Sequence, residues 1–171
     1  MLSVLGGPSA QSPLGTRNEP IPRKRIGAGV LIVDQSGSVL LVQPTYKEHW
    51  EVPGGLVEAD ESPSDAARRE VVEELGVDVQ VDELLVVDWV PPDPLLGDGL
   101  MFLYSTAGID ASAIELPHQE LASWAWSDDL ALDLRLPPPL ARRVRAGLSA
   151  RISGTVAELV DGFPRYAQRH D

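Results

Sequence analysis

The sequence predicts one α/β domain, a sandwich built on a mixed β-sheet. Three observations carry that expectation. Runs of branched and aromatic residues with strand character crowd the middle of the chain, from Ile26 to about residue 128. One well-signalled helix stands early and a second stands late. Between residues 26 and 150 no repeat or linker interrupts the pattern, so these elements share one core. A chain of 171 residues is long enough to bury one, and 43% hydrophobic with 23% charged residues is ordinary for a globular domain.

The elements follow in order. Residues 1–22 are rich in Gly, Pro and Ser and are expected to form a flexible N-terminal arm. The basic triplet at 23–25 reads as a solubilising edge. Apolar runs at 26–33 and 39–42 flank the turn "DQSG" and predict a β-hairpin. "HWEVPGG" gives a short strand stopped by Pro53 and two glycines. A helix is expected from Pro63 to Leu75, with Ser62 as N-cap, Pro63 at the first helical position, Asp65 three residues after the cap, and Gly76 as terminator. Residues 79–90 read as one or two strands, "PPDPLLGDG" as a Pro-rich loop, and 100–108 and 121–128 as further strands. A C-terminal helix starts near Pro138 or Pro139. The expected domain spans 23–153, and 154–171 is a C-terminal segment, helix or tail.

Composition narrows the chemistry. The absence of cysteine excludes disulfides, thiolate metal sites and a cysteine nucleophile. A net charge of −12 argues against nucleic-acid binding by general attraction, and a phosphate-bearing substrate would need cations to offset repulsion. No run reaches the roughly 20 apolar residues of a membrane span, and the start lacks the pattern of a secretory signal. A cytoplasmic protein is expected.

The early helix collects negative charge. Glu70, Glu73 and Glu74 stand at i, i+3 and i+4 and so share one patch, while Val71, Val72 and Leu75 turn toward a core. Arg68 is a misfit on the apolar side and can snorkel to its edge. Surface helices are often acidic, but three crowded carboxylates also suit a hard divalent cation. Arg69 can relieve part of their repulsion, Glu61 can add an oxygen, and Gly54 and Gly55 let a backbone carbonyl approach the patch.

Spacing sharpens this. From Gly55 the chain reads Gly, five residues, Glu61, seven residues, Arg69, Glu70, Val71, one residue, Glu73, Glu74, one residue, Gly76, Val77. This resembles the Nudix box, G-x5-E-x7-R-E-U-x-E-E-x-G-U with U aliphatic, at every fixed position. The flanking "WEVPGG" is similar to the strand that precedes the box in that family, and a looser likeness extends over residues 26–130.

The resemblance implies an α/β/α sandwich around a mixed sheet and a Mg²⁺-dependent (or Mn²⁺-dependent) hydrolase of diphosphates linked to a nucleoside. It implies Glu70 and Glu74 as main metal ligands, Glu73 beside them, the Gly55 carbonyl as a further ligand, and Arg69 as their orienting partner. Glu61 either binds metal through water or anchors the loop. The general base stays open among Glu70, Glu73, Glu61 and Glu120, whose place before a predicted strand is similar to that of a late loop glutamate in many members. His118 is its rival there.

Substrate signals are thinner. Trp89 is the aromatic candidate for substrate contact; Trp124, Trp126, Phe102 and Tyr104 read as core. A nucleoside triphosphate or oxidised nucleotide is the expected small-molecule substrate. ADP-ribose or a nucleotide sugar is the alternative, since Pro92 follows Val77 by 15 residues, a spacing associated in the family with ADP-ribose hydrolases. A non-catalytic nucleotide-binding module is the second alternative, although such proteins usually lose box glutamates. Prenyl diphosphate isomerases on this fold use a cysteine, which this chain lacks. The oligomeric state is open, a homodimer included.

Overall fold

The computed structural model describes residues 21–95, 97–116 and 120–165. The expected N-terminal arm lies almost wholly outside the described residues, and His118 lies outside them too.

Among the described residues eight strands and three α-helices follow in the order β1 (Arg25–Leu31), β2 (Val39–Pro44), β3 (Gly54–Leu56), α1 (Pro63–Leu75), β4 (Val81–Asp93), β5 (Gly97–Thr106), β6 (Leu121–Ser127), α2 (Asp129–Arg135), α3 (Pro138–Ser153), β7 (Ala157–Val160) and β8 (Phe163–Pro164), with one 3-10 turn at Ala111–Ala113 between β5 and β6. Six strands form one mixed sheet in the order β3-β1-β5-β4-β7-β8, and β2 pairs with β6 in a separate ribbon. β1 runs parallel to β5 and β4 parallel to β7, whereas β3–β1, β5–β4 and β7–β8 are antiparallel. The result is the expected α/β sandwich.

Side-chain alternation divides the core in two. Ala28, Val30 and Ile32 face one way and pack against Ala66, Ala67, Val71 and Leu75 of α1. Leu31 faces the other way and joins Leu103, Val86 and the Ala141, Val144 and Ala150 side of α3. The β2 strand feeds both cores, with Leu40 and Val42 in the first and Val39 and Leu41 in the second. Gly147 lets α3 come close: a Cβ there would stand 2.9 Å from Leu103.

The turn predicted at "DQSG" is present. The Asp34 carboxylate accepts from the backbone amides of Ser36 and Ser38, and the Gly37 amide donates to the Asp34 carbonyl. Its two arms separate, however, β1 entering the main sheet and β2 the ribbon, with only Val33–Val39 bridged beside the turn.

Other expectations need correction. The Pro-rich stretch is no loop: Pro91 and Pro92 continue β4, which turns directly into β5. Proline cannot donate to a ladder, and the register of β4 on β5 shifts between Val90 and Asp93. The described part of the segment expected as helix or tail, residues 154–165, forms β7 and β8 instead, and β7 lies beside β4 inside the main sheet. The short helix α2, capped by Asp128 through the Ala131 amide, was not foreseen. Val72 is exposed rather than core, while Val71 and Leu75 are fully buried.

Candidate active site

The site is built where α1 meets the β3 edge of the main sheet. α1 forms as its sequence signals require. The Ser62 hydroxyl accepts from the Asp65 amide at 3.2 Å, and Gly76 ends the helix in the left-handed region with φ 68°. These caps fix the two ends of α1, and the packing of Ala66, Ala67, Val71 and Leu75 on the sheet sets its rotation, with the glutamates toward β3. Arg68 stays outside and forms a two-pronged ion pair with Asp78, at 2.7 and 2.6 Å.

Arg69 organises the acidic patch. Its Nε and Nη2 grip Glu61 at 2.9 and 3.1 Å, and Nη2 also donates to the Leu56 carbonyl at 3.0 Å. Its Nη1 donates to Glu70 at 2.8 Å and to Glu73 at 3.2 Å. A planar guanidinium with five donors can hold all these oxygens together, which an ammonium cannot. The Arg69 contact holds the Glu61 carboxyl below its usual range. Burial pushes Glu70 up despite the same arginine.

Glu74 lies deeper. It accepts from the Gly54 amide at 3.0 Å. Burial pushes its carboxyl up to about 8, the Gly54 hydrogen bond opposes this, and the charges of Glu70, Glu51 and Glu120 add to it. Gly55 is tied to the patch by space: a Cβ there would stand 2.3 Å from a Glu70 oxygen, so only glycine fits against that carboxylate.

Glu120, far away in sequence, comes to the same place. Its carbonyl accepts from the Thr45 amide at 2.8 Å, which fastens the start of β6 to the end of β2. Glu70, Glu73, Glu74 and Glu120 then line one small cavity of about 160 Å³. The structure thus brings together Glu61, Arg69, Glu70, Glu73, Glu74, Glu120 and Gly55. It does not bring Trp89 to them: its indole donates to Asp98 at 2.9 Å, and it does not line the neighbouring cleft. Trp124 and Trp126 pack edge to face, 6.2 Å apart, against the α1 core with Phe102 and Tyr104.

All the side-chain donors are carboxylates, a set that fits a hard divalent cation. Among the described residues no three acidic or histidine side chains converge closely enough to form a finished cage. Glu70 rests on Arg69, and Glu74 on the Gly54 amide.

Beyond β3 a cleft of about 430 Å³ opens over the other face of the sheet. Gly54 and Gly55 stand at its edge, Gly27, Met101 and Leu103 line it, and Leu140 and Arg143 bring α3 to it. Arg25 lines it as well, so part of the basic triplet is more than a solubilising edge. Sequence reasoning missed Arg143; the one available signal was Asp88, an acid inside an apolar strand run, whose Oδ2 accepts from Arg143 Nε at 2.8 Å.

The chain resembles known proteins in sequence and in fold. Residues 23–145 match the family model described as NUDIX domain. The chain is 44% identical over 64 residues to an 8-oxo-dGTP diphosphatase of Proteus vulgaris, covering 35% of this chain and 56% of that protein. It is 34% identical over 119 residues to an RNA pyrophosphohydrolase of Dinoroseobacter shibae, covering 57% of this chain and 72% of that protein. A solved MutT protein from Methanosarcina mazei shares the fold, with TM-score 0.63, 19% identity, and coverage of 80% of this chain and 99% of that one. The chain spans about half the length of several curated relatives that it matches.

Proposed function

The chain belongs to the Nudix hydrolase family, and from that premise we propose that it hydrolyses the diphosphate linkage of a nucleoside triphosphate or an oxidised nucleotide with a divalent cation, Mg²⁺ or Mn²⁺. The observation that carries the reading is the single cavity lined by Glu70, Glu73, Glu74 and Glu120 beside a cleft of about 430 Å³, a size suited to one nucleoside. The likeness to the Proteus 8-oxo-dGTP diphosphatase supports the choice of substrate class.

In this reading Glu70, Glu74 and the Gly55 carbonyl hold the cation, with Glu73 at the rim. A cation held there would offset the charge of the diphosphate and of the phosphate that leaves. Arg69 keeps Glu70 and Glu73 in place before substrate arrives. Glu61, gripped on both oxygens by Arg69 and lowered in proton affinity, anchors the loop and is a poor base. That leaves Glu70, Glu73 and Glu120 as the carboxylates suited to take the proton of the attacking water. The water oxygen forms a bond to one phosphorus, the bridging P–O bond breaks, and the leaving phosphate carries away the electron pair.

The test is a product-resolved panel of nucleoside triphosphates, 8-oxo-dGTP, ADP-ribose and nucleotide sugars with Mg²⁺. Triphosphates should give nucleoside monophosphate and pyrophosphate. Glu74→Gln should lose at least about 100-fold in kcat, comparable to deleting one strong electrostatic contribution to a transition state, while its far-UV circular dichroism stays unchanged. Undiminished turnover in that variant would remove Glu74 from the ligand set, and exclusive cleavage of ADP-ribose or nucleotide sugars would replace the substrate class.

A further inference from the structure

Asp88 is a fully buried acid in the middle of β4, and the hydrolytic site does not use it. Both its oxygens accept from the Gly162 amide at 3.1 Å, and Oδ2 also accepts from Arg143 Nε at 2.8 Å. The pair locks Arg143, whose side chain is 14% exposed, against the sheet. Gripping Nε leaves the terminal amino groups, for which no partner stands among the described residues, and Arg143 lines the cleft.

Strand register says where this arginine sits relative to the glutamates. Asp88 is opposite Met101, Met101 opposite Gly27, and Gly27 opposite Leu56. Residues directly opposite in adjacent strands point to one face, so all four lie in a row beneath the cleft. Three strand spacings separate Asp88 from Leu56, roughly 14 Å. The carboxylates and Gly55 lie at the Leu56 end and Arg143 at the Asp88 end. Between them the floor is Gly27 with the Met101 thioether over it, and Leu103 and Leu140 stand alongside. A nucleotide whose phosphates lie by the glutamates therefore reaches Arg143 with its base, not with a second phosphate.

We propose that Arg143, held by Asp88, is a specificity-determining residue that selects a 6-oxopurine base in this cleft; the inference rests on the reading of the cleft as a nucleotide site. Arg143 offers donors only. Guanine presents O6 and N7 as two adjacent acceptors, which a guanidinium fork meets together, whereas adenine sets an amino donor beside N7 and cytosine presents an amino donor; 8-oxoguanine carries a hydrogen on N7, so of the nucleotides proposed above the fork favours the unoxidised guanine one. The flat apolar floor suits the ring, and the buried ion pair fixes the fork in advance so that little freedom is lost on binding.

The test uses the full chain and the non-hydrolysable α,β-methylene diphosphates of guanosine and adenosine with Mg²⁺, read by calorimetry. The guanosine analogue should bind about 10-fold tighter. Arg143→Lys, which keeps the charge beside Asp88 but loses the fork, should remove that preference, leaving the adenosine analogue unchanged and the melting temperature close to that of the native chain. Equal affinity of the native chain for both analogues, binding of neither, or an equal loss for both in the variant would overturn the inference. Base preference is scored without turnover. A chain that prefers guanosine yet hydrolyses nothing overturns the hydrolytic reading alone, and one that hydrolyses nucleotides without base preference overturns this inference alone.

Discussion

Glu74 shows how one side chain links the site to stability. Burial raises its folded-state pKa from 4.5 to about 8. The folded chain therefore holds a proton there that the unfolded chain releases above pH 4.5. Without metal, the contribution of this neutral carboxyl is fully present below 4.5 and is lost as pH rises toward about 8, by at most about 1.4 kcal/mol per pH unit. In chelator, the native melting temperature should fall relative to that of Glu74→Gln across this window, and Mg²⁺ should restore it most at the alkaline end. Parallel curves for the two chains would contradict the burial of Glu74. Residue chemistry at this site was largely legible in the sequence, because Glu61, Arg69, Glu70, Glu73, Glu74 and Gly55 sit at fixed spacing on one loop and helix. The Asp88–Arg143 pair was not, since its members are 55 positions apart and meet only through the packing of α3 on β4.

At the scale of elements, α1 was readable to the residue because its caps are local chemistry: a hydroxyl acceptor before the helix and a left-handed glycine after it. Ser62→Ala should lower stability by about 1 kcal/mol, visible as a shifted urea midpoint, with turnover retained because the sheet contacts of Ala66, Val71 and Leu75 still set the helix rotation. A loss of turnover as large as in Glu74→Gln would show that the cap, not the packing, aims the carboxylates. The strands were less legible. Pro91 and Pro92 read as breakers, yet a long hairpin strand tolerates them where the ladder is already irregular. The arms of the first hairpin part because alternating faces of β2 belong to two cores, a choice made by tertiary packing and not by the turn. β7 has only four residues and gains its strand state from β4 beside it.

For the molecule as a whole, the C-terminal strands matter more than the sequence suggested. The described residues contain no helix long and apolar enough to cross a membrane. β7 covers the edge of β4, Leu159 enters the α3 core, and the Gly162 amide satisfies buried Asp88. A chain ending after Ser153 leaves that carboxylate half-partnered and β4 uncovered. It should lose about 3 kcal/mol or more, with a lower melting temperature and high-mass species in size-exclusion chromatography; an unchanged melting curve would show that α3 alone holds the sheet. The full sheet also guards its own rims. Its outermost strands are β3, three residues long, and β8, two residues ending in Pro164. Strands this short give a neighbouring molecule little backbone to pair with, which counters edge-to-edge aggregation. On one rim the guard is the Gly54–Gly55 pair itself, so a substitution that regularised β3 into a longer strand would both disarm the carboxylate cavity and open a template for self-association.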